Sequence, residues 1–158
     1  MKFRRLSIEE LNELQSEFIN FLAVNGFAAD DWEKMQNEDL GKHDELIDTF
    51  SDMVMERVLT NIKYLEHRTA GSIMLFKCEY EKLLLTSINL NGDYGVGFDD
   101  PKSIEILLST GQTKDGMLSS FQTEKAYKKD RALEIFDLTN QGCLIVTEEY
   151  YQGLISLI

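Results

Sequence analysis

The sequence predicts an α+β fold: a helical N-terminal half packed on a small, mainly antiparallel sheet, with further helices toward the C-terminus. Three observations carry that expectation. Apolar residues recur at helical spacing between Ile8 and Ile62, the middle of the chain changes to short continuous apolar runs, and capped helical patterns return after Pro101. With 158 residues, 43% of them hydrophobic, the chain is long enough for one core that buries roughly 70% of its unfolded surface. A single domain over 1–158 is therefore expected, helical at about 7–68 and mixed strand and helix at about 72–158.

Taken in order, Ser7-Ile8-Glu9-Glu10 fits a capping box, and the helix it opens should stop at Asn25-Gly26 through a glycine cap. At about 100° per residue, Leu11, Leu14, Phe18, Phe21 and Leu22 fall in one arc, a core face. Asp30-Asp31-Trp32-Glu33 marks a second N-terminus, a short helix with Trp32 and Met35 that ends near Gly41. The longest helix should run from about His43 to about His67. Its apolar stripe is Leu46, Ile47, Phe50, Met53, Val54, Val58 and Ile62, while Asp44, Asp48, Asp52 and Glu56 repeat every fourth residue on roughly the opposite side, as a solvated acidic face.

Ile73-Met74-Leu75-Phe76-Lys77-Cys78 and Leu83-Leu84-Leu85-Thr86-Ser87-Ile88 flank Glu79-Tyr80-Glu81-Lys82 and read as two antiparallel strands joined by a tight turn. A glycine-rich loop at 91–100 follows. Asp100-Pro101 resembles an N-cap with proline in the first turn, so 104–108 reads as helix up to Gly111; it reads equally as a strand paired across Asp115-Gly116 with 117–121. Thr123 is the expected cap of a helix carrying Leu133, Phe136 and Leu138 to Asn140-Gln141-Gly142. Cys143-Leu144-Ile145-Val146 reads as a last short strand, and Thr147-Glu148-Glu149 as the start of a terminal helix with Leu154, Ile155, Leu157 and Ile158.

Charge and composition narrow the function. Lys+Arg 16 against Asp+Glu 28 leaves a net −12, the wrong sign for a surface that attracts nucleic acid or anionic lipid. Glu9, Glu10, Asn12 and Glu13 interrupt any signal-peptide apolar run after the basic start, and no apolar stretch reaches the length of a membrane span. The two cysteines, Cys78 and Cys143, sit in apolar runs without a Cys-x-x-Cys neighbour, which fits buried free thiols and a cytoplasmic location.

Gly-x-Ser-x-Gly, phosphate-loop and Gly-x-Gly-x-x-Gly patterns are absent. His43 and His67 are the only histidines; on one continuous helix, about 24 residues at about 1.5 Å each hold them roughly 36 Å apart, so no shared metal is expected. Cys78, Cys143 and His67 offer no close ligand pair, and no cofactor is expected. His67 and Arg68 would meet the negative end of the long helix dipole. Lys125, Lys128, Lys129 and Arg131 with Tyr127 form the one dense basic patch, a candidate site for a carboxylate, a phosphate or an acidic partner segment.

Lys2-Phe3-Arg4-Arg5-Leu6, Phe18-Ile19-Asn20-Phe21-Leu22, Tyr64-Leu65-Glu66-His67-Arg68, Phe76-Lys77-Cys78 and Tyr127-Lys128-Lys129-Asp130-Arg131 resemble strings of a bacterial family of short acidic cytoplasmic proteins of unknown function. The resemblance spans nearly the whole chain. It implies a single domain and supplies no activity.

The expected function is a non-enzymatic cytoplasmic domain that binds a partner protein or a small anion. Tyr127, Lys128, Lys129 and Arg131 would carry binding, with Tyr64, His67 and Arg68 as neighbours, and replacing Lys128, Lys129 and Arg131 by Ala should weaken it without unfolding the protein. One alternative is a hydrolase or transferase with a site assembled from Glu66, His67 and Asp99 beside Cys78. Another is a structural protein that forms homo-oligomers through its apolar C-terminal helix.

Overall fold

A computed structural model describes residues 1–95, 97–111 and 113–158. The chain divides into two compact units, Met1–Thr60 and Asn61–Ile158. Seven helices and a five-stranded antiparallel sheet are found among the described residues, which is an α+β architecture.

The first unit is helical, with α1 (Ile8–Glu13), α2 (Gln15–Val24), α3 (Ala29–Glu38) and α4 (Leu40–Asn61). The capping box forms: the Glu10 amide donates to Ser7 Oγ at 3.2 Å and the Ser7 amide to Glu10 Oε2 at 2.8 Å. The single helix expected from there to Asn25 is broken at Leu14 (φ −101°, ψ 22°), where α1 stops and α2 begins. At the far end Gly26 takes φ +83°. The Phe27 amide then reaches Leu22 O at 3.0 Å and the Gly26 amide reaches Ala23 O at 3.1 Å, the double bond of a glycine-terminated helix. α3 starts with no hydroxyl cap; the Asp31 carboxylate instead accepts from the Ala28 amide at 2.9 Å.

Phe50 of α4, fully buried, centres this unit. Phe18 and Phe21 lie 4.9 and 5.4 Å from it, and Trp32 meets Phe18 edge-on at 5.0 Å while stacking on His43 at 4.2 Å. Met53 and Val58, assigned to the apolar stripe, are half exposed at 48% and 50%. The acidic row is not a bare solvated face either. The basic start of the chain lies along it: Asp52 accepts from the Lys2 and Phe3 amides, Lys2 Nζ meets Glu56 at 2.6 Å, and Arg5 meets Asp48 at 2.6 Å and Asp44 at 3.5 Å. Exposed pairs of this kind contribute about 0–1 kcal/mol each. The firmer anchor is buried Leu6, whose amide donates to Ser51 Oγ at 3.1 Å.

The long helix ends at Asn61, short of the expected 67, and Tyr64–Arg68 is strand β1. The dipole role read for His67 and Arg68 is therefore overturned, and so is the rod that separated the two histidines. Tertiary pairing decides the matter: β1 hydrogen-bonds on one side to β2 (Ser72–Cys78) and on the other to β5 (Leu144–Ile145). β3 (Lys82–Leu90) and β4 (Leu118–Ala126) complete the order β4-β3-β2-β1-β5, antiparallel throughout. The hairpin read at 79–82 is present.

Residues 104–108 belong to helix α5 (Pro101–Thr110), capped by Asp100, whose carboxylate accepts from the Lys102 amide, and closed by Gly111 at φ +60°. Residues 118–121 of the 117–121 stretch are extended, but their partner is β3. Thr123 lies inside β4 and caps nothing; α6 (Arg131–Asn140) is capped by Asp130, which accepts from the Ala132 and Leu133 amides. Thr147 caps α7 (Glu148–Ile155) as expected.

Strand alternation sorts the sheet into two faces. Tyr64, Glu66 and Arg68 share one with Ile73, Leu75, Thr86 and Ile88. Tyr64 and Tyr151 rings meet there at 4.6 Å, and Phe98, Ile104, Leu107, Met117 and Leu154 join the same buried cluster, so α5 and α7 cover this face. Gly153 sets the approach of the two helices, because a Cβ there would stand 3.0 Å from Leu108 Cδ2. On the other face, Lys125 meets Glu134 at 2.8 Å and His67 lies 4.0 Å from where a Gly142 Cβ would stand, which places α6 across it from β4 to β1. The apolar C-terminus, which needs cover from the body or from a second subunit, is largely covered within this unit: Leu154 is 1% exposed and Ile155 and Leu157 pack on the cluster, while Ile158 stays 44% exposed.

Candidate functional site

The basic patch is occupied by the chain's own acceptors. Arg131 donates from Nε to Glu79 O at 3.0 Å and from one terminal nitrogen to Ile62 O at 2.6 Å and Cys78 O at 3.0 Å, tying the start of α6 to the end of β2 and the entry to β1. Tyr127 donates its hydroxyl to Glu79 O at 3.1 Å. Lys129 pairs with Asp137 at 2.7 Å and Lys125 with Glu134 at 2.8 Å. Glu134, 8% exposed, also accepts from the Lys128 and Lys129 amides. Burial pushes its carboxyl up, but the Lys125 ammonium and these two amides outweigh that and hold it below its ordinary value. The Lys128 side chain is exposed.

The other expected residues do not join this patch. Tyr64 and Arg68 face α7 and α5, with the Tyr64 hydroxyl 3.1 Å from Glu148, whereas His67 faces α6 and its Nδ1 is buried without a hydrogen-bond partner. The set Glu66, His67, Asp99 and Cys78 does not assemble either: Glu66 and His67 project to opposite faces of β1, and Asp99 is exposed on the loop before α5. Burial pushes the Cys78 thiol up to about 11 and raises that of Cys143, so both remain protonated. Both are free and buried. Among the described residues no group of three or more His, Cys, Asp or Glu is placed to hold a metal ion.

The side chains that do converge line a cavity of about 580 Å³ between β1, α5 and α7. Glu66, Arg68, Glu105, Ser109 and Tyr150 are its polar groups; Pro101, Ile104, Leu108 and Val146 are its apolar wall. Glu66 is 3% exposed, a carboxylate that burial would penalise unless paired. It is paired twice: Tyr150 donates its hydroxyl to Oε2 at 2.7 Å and Arg68 Nε stands 2.9 Å from Oε1. Burial first, and then the bond to Glu66, push the Tyr150 phenol well above its ordinary range, so it stays a donor. Glu66 thereby holds Arg68, with its closest approach at Nε. The two terminal nitrogens of Arg68 make no hydrogen bond with the described residues, so that one buried acid fixes a fork whose donors remain available in a partly apolar cavity.

A second groove, about 470 Å³ between α7 and β3–β4, is lined by Lys77, Thr86, Gln122, Glu124, Tyr151 and Gln152 among others, and holds no comparable buried charged group. Reading Tyr64-Leu65-Glu66-His67-Arg68 as helix hid the first site. Read with a strand period of two, Glu66 and Arg68 fall on one face, and that is the signal the sequence carried. Tyr150 had no such signal, because its partner is 84 residues away.

No helix among the described residues is long and apolar enough to cross a membrane. The model of a family described as a family of unknown function (DUF6495) matches residues 1–158. No curated protein and no solved structure matches the chain.

Proposed function

Because the chain belongs to that family of unknown function, we propose from its own geometry that it is a non-enzymatic cytoplasmic binding domain whose site is the cavity between β1, α5 and α7. The ligand is a small molecule with an apolar body and one carboxylate or carbonyl acceptor. The observation that supports this is Arg68, held beside buried Glu66 while its terminal nitrogens make no hydrogen bond with the described residues. A planar fork of this kind matches a carboxylate in two parallel bonds. Ile104, Leu108 and Val146 offer the apolar wall such a body needs. Charge selects further. Glu66 offsets Arg68 and Glu105 adds one negative charge, so a multiply charged phosphate is disfavoured against a monocarboxylate. The buried free thiols are compatible with a reducing cytoplasm. The basic 127–131 segment is not part of this site.

The test is a thermal-shift and calorimetric screen of aromatic and aliphatic monocarboxylates against inorganic phosphate and phosphate esters. At a hundredfold excess over its Kd, a true ligand stabilises by about 2.7 kcal/mol. Arg68→Lys keeps a cation beside Glu66 but loses the fork, so binding should weaken at least tenfold while the fold persists. Equal affinity for the Arg68→Lys chain, or a panel in which only phosphates bind, refutes the reading.

A further inference from the structure

We propose that β4 is a self-association edge, pairing antiparallel with β4 of a second copy about a twofold axis at Gln122, so that two five-stranded sheets join into one. The sheet has two edges of different character. β5 is two residues long, too short to template another chain, while β4 is nine residues long and every residue from Ser119 to Ala126 is exposed. Nine consecutive pairs join β4 to β3 without a skipped residue, from Lys82↔Ala126 to Leu90↔Leu118, so no bulge twists the edge away, and the strand contains no proline.

The backbone shows which groups are offered. At its two ends the Asn91 amide donates to Met117 O and the Tyr127 amide to Glu81 O, so odd-numbered residues turn toward β3. By antiparallel alternation, Leu118, Ser120, Gln122, Glu124 and Ala126 turn their amides and carbonyls outward. A twofold at Gln122 is the register that pairs all nine residues. It sets Gln122 opposite its own copy, Ser120 opposite Glu124 and Leu118 opposite Ala126, outward groups meeting outward groups. On the α6 side of the sheet it sets Phe121, 62% exposed, against Thr123, an aromatic and β-branched pair made twice.

No like charges face each other in this register. Lys125 falls opposite Ser119, and the strand's two charged residues are already engaged within the chain, Glu124 with Lys82 and Lys125 with Glu134. The stretch 118–123 carries no charge, which makes it the favourable place for two copies of net charge −12 to meet.

Sedimentation equilibrium of the full chain should show a monomer–dimer equilibrium that tightens with added salt, since screening relieves the repulsion between copies. Gln122→Pro removes an outward amide and no internal bond, so it should weaken the dimer at least tenfold with an unchanged circular dichroism spectrum. Gln122→Cys tests the register without relying on proline: hydrogen-bonded antiparallel partners have Cα atoms about 5.5 Å apart, within disulfide reach. The oxidised variant should run as a covalent dimer, and Ser119→Cys should not. A chain that stays monomeric at every concentration overturns the proposal, and so does a dimer that Gln122→Pro leaves intact or that Gln122→Cys fails to cross-link.

Discussion

Arg131→Ala should destabilise the protein by about 3 kcal/mol, and this outcome separates a structural arginine from a ligand-binding one. The side chain donates to three main-chain carbonyls, Glu79 O at 3.0 Å, Ile62 O at 2.6 Å and Cys78 O at 3.0 Å. Each hydrogen bond lost to a charged donor, with the carbonyl left short of a partner, costs about 1–3 kcal/mol. Arg131 is part-buried, so water replaces some of what is lost and the low end applies, about 1 kcal/mol per carbonyl. For a chain of this size each kcal/mol lowers Tm by about 2–4 °C, giving a fall of about 6–12 °C. Urea unfolding followed by circular dichroism measures it directly. Arg131→Lys should lie between, because an ammonium cannot span all three acceptors. Lys128→Ala, which removes an exposed side chain, should stay within about 0.5 kcal/mol of the parent. An Arg131→Ala chain as stable as the parent, or a Lys128→Ala chain as unstable as Arg131→Ala, would refute the reasoning.

Other outcomes follow from the same contacts. Tyr150→Phe leaves the buried Glu66 carboxylate without its 2.7 Å donor and should cost about 1–3 kcal/mol in urea unfolding, the phenyl ring retaining the packing. Asp52→Asn should speed hydrogen exchange at the Lys2 and Phe3 amides, both of which donate to its carboxylate, with less than about 1 kcal/mol of global destabilisation. The Glu10 carboxyl, held down to about 2 first by Arg4 and then by the Ser7 amide, should titrate near there by carbon NMR. Its folded pKa lies below the unfolded 4.5, so its contribution to stability is present above pH 4.5 and is lost as pH falls toward 2, and Arg4→Ala should raise the titration toward the ordinary range.

Local signals in the sequence were accurate where the determining atoms lie within a few residues. The Ser7–Glu10 capping box, the glycine stop at Gly26, Asp100-Pro101 and Thr147 all sit where they were read, since a cap is a bond between neighbours along the chain. The hairpin at 79–82 was legible for the same reason. Thr123 was misread because a threonine suits a helix cap and a strand equally, and pairing with Leu85 chose the strand. The basic 127–131 segment was conspicuous as composition, yet composition does not show that Glu79, Glu134 and Asp137 lie within reach of it.

Sequence alone thus determined the α+β class, most of the helix termini and the apolar positions that fill the core, because propensity, capping and periodicity act over one or two turns. Tertiary structure alone decided that 64–68 is a strand, since its hydrogen bonds run to Lys77–Ile73 on one side and Leu144–Ile145 on the other. That single choice turns Glu66 and Arg68 to one face and His67 to the other, and so creates the cavity that Tyr150 completes. Backbone pairing across long stretches of chain carries no local signature, which is why the site had to be seen in three dimensions.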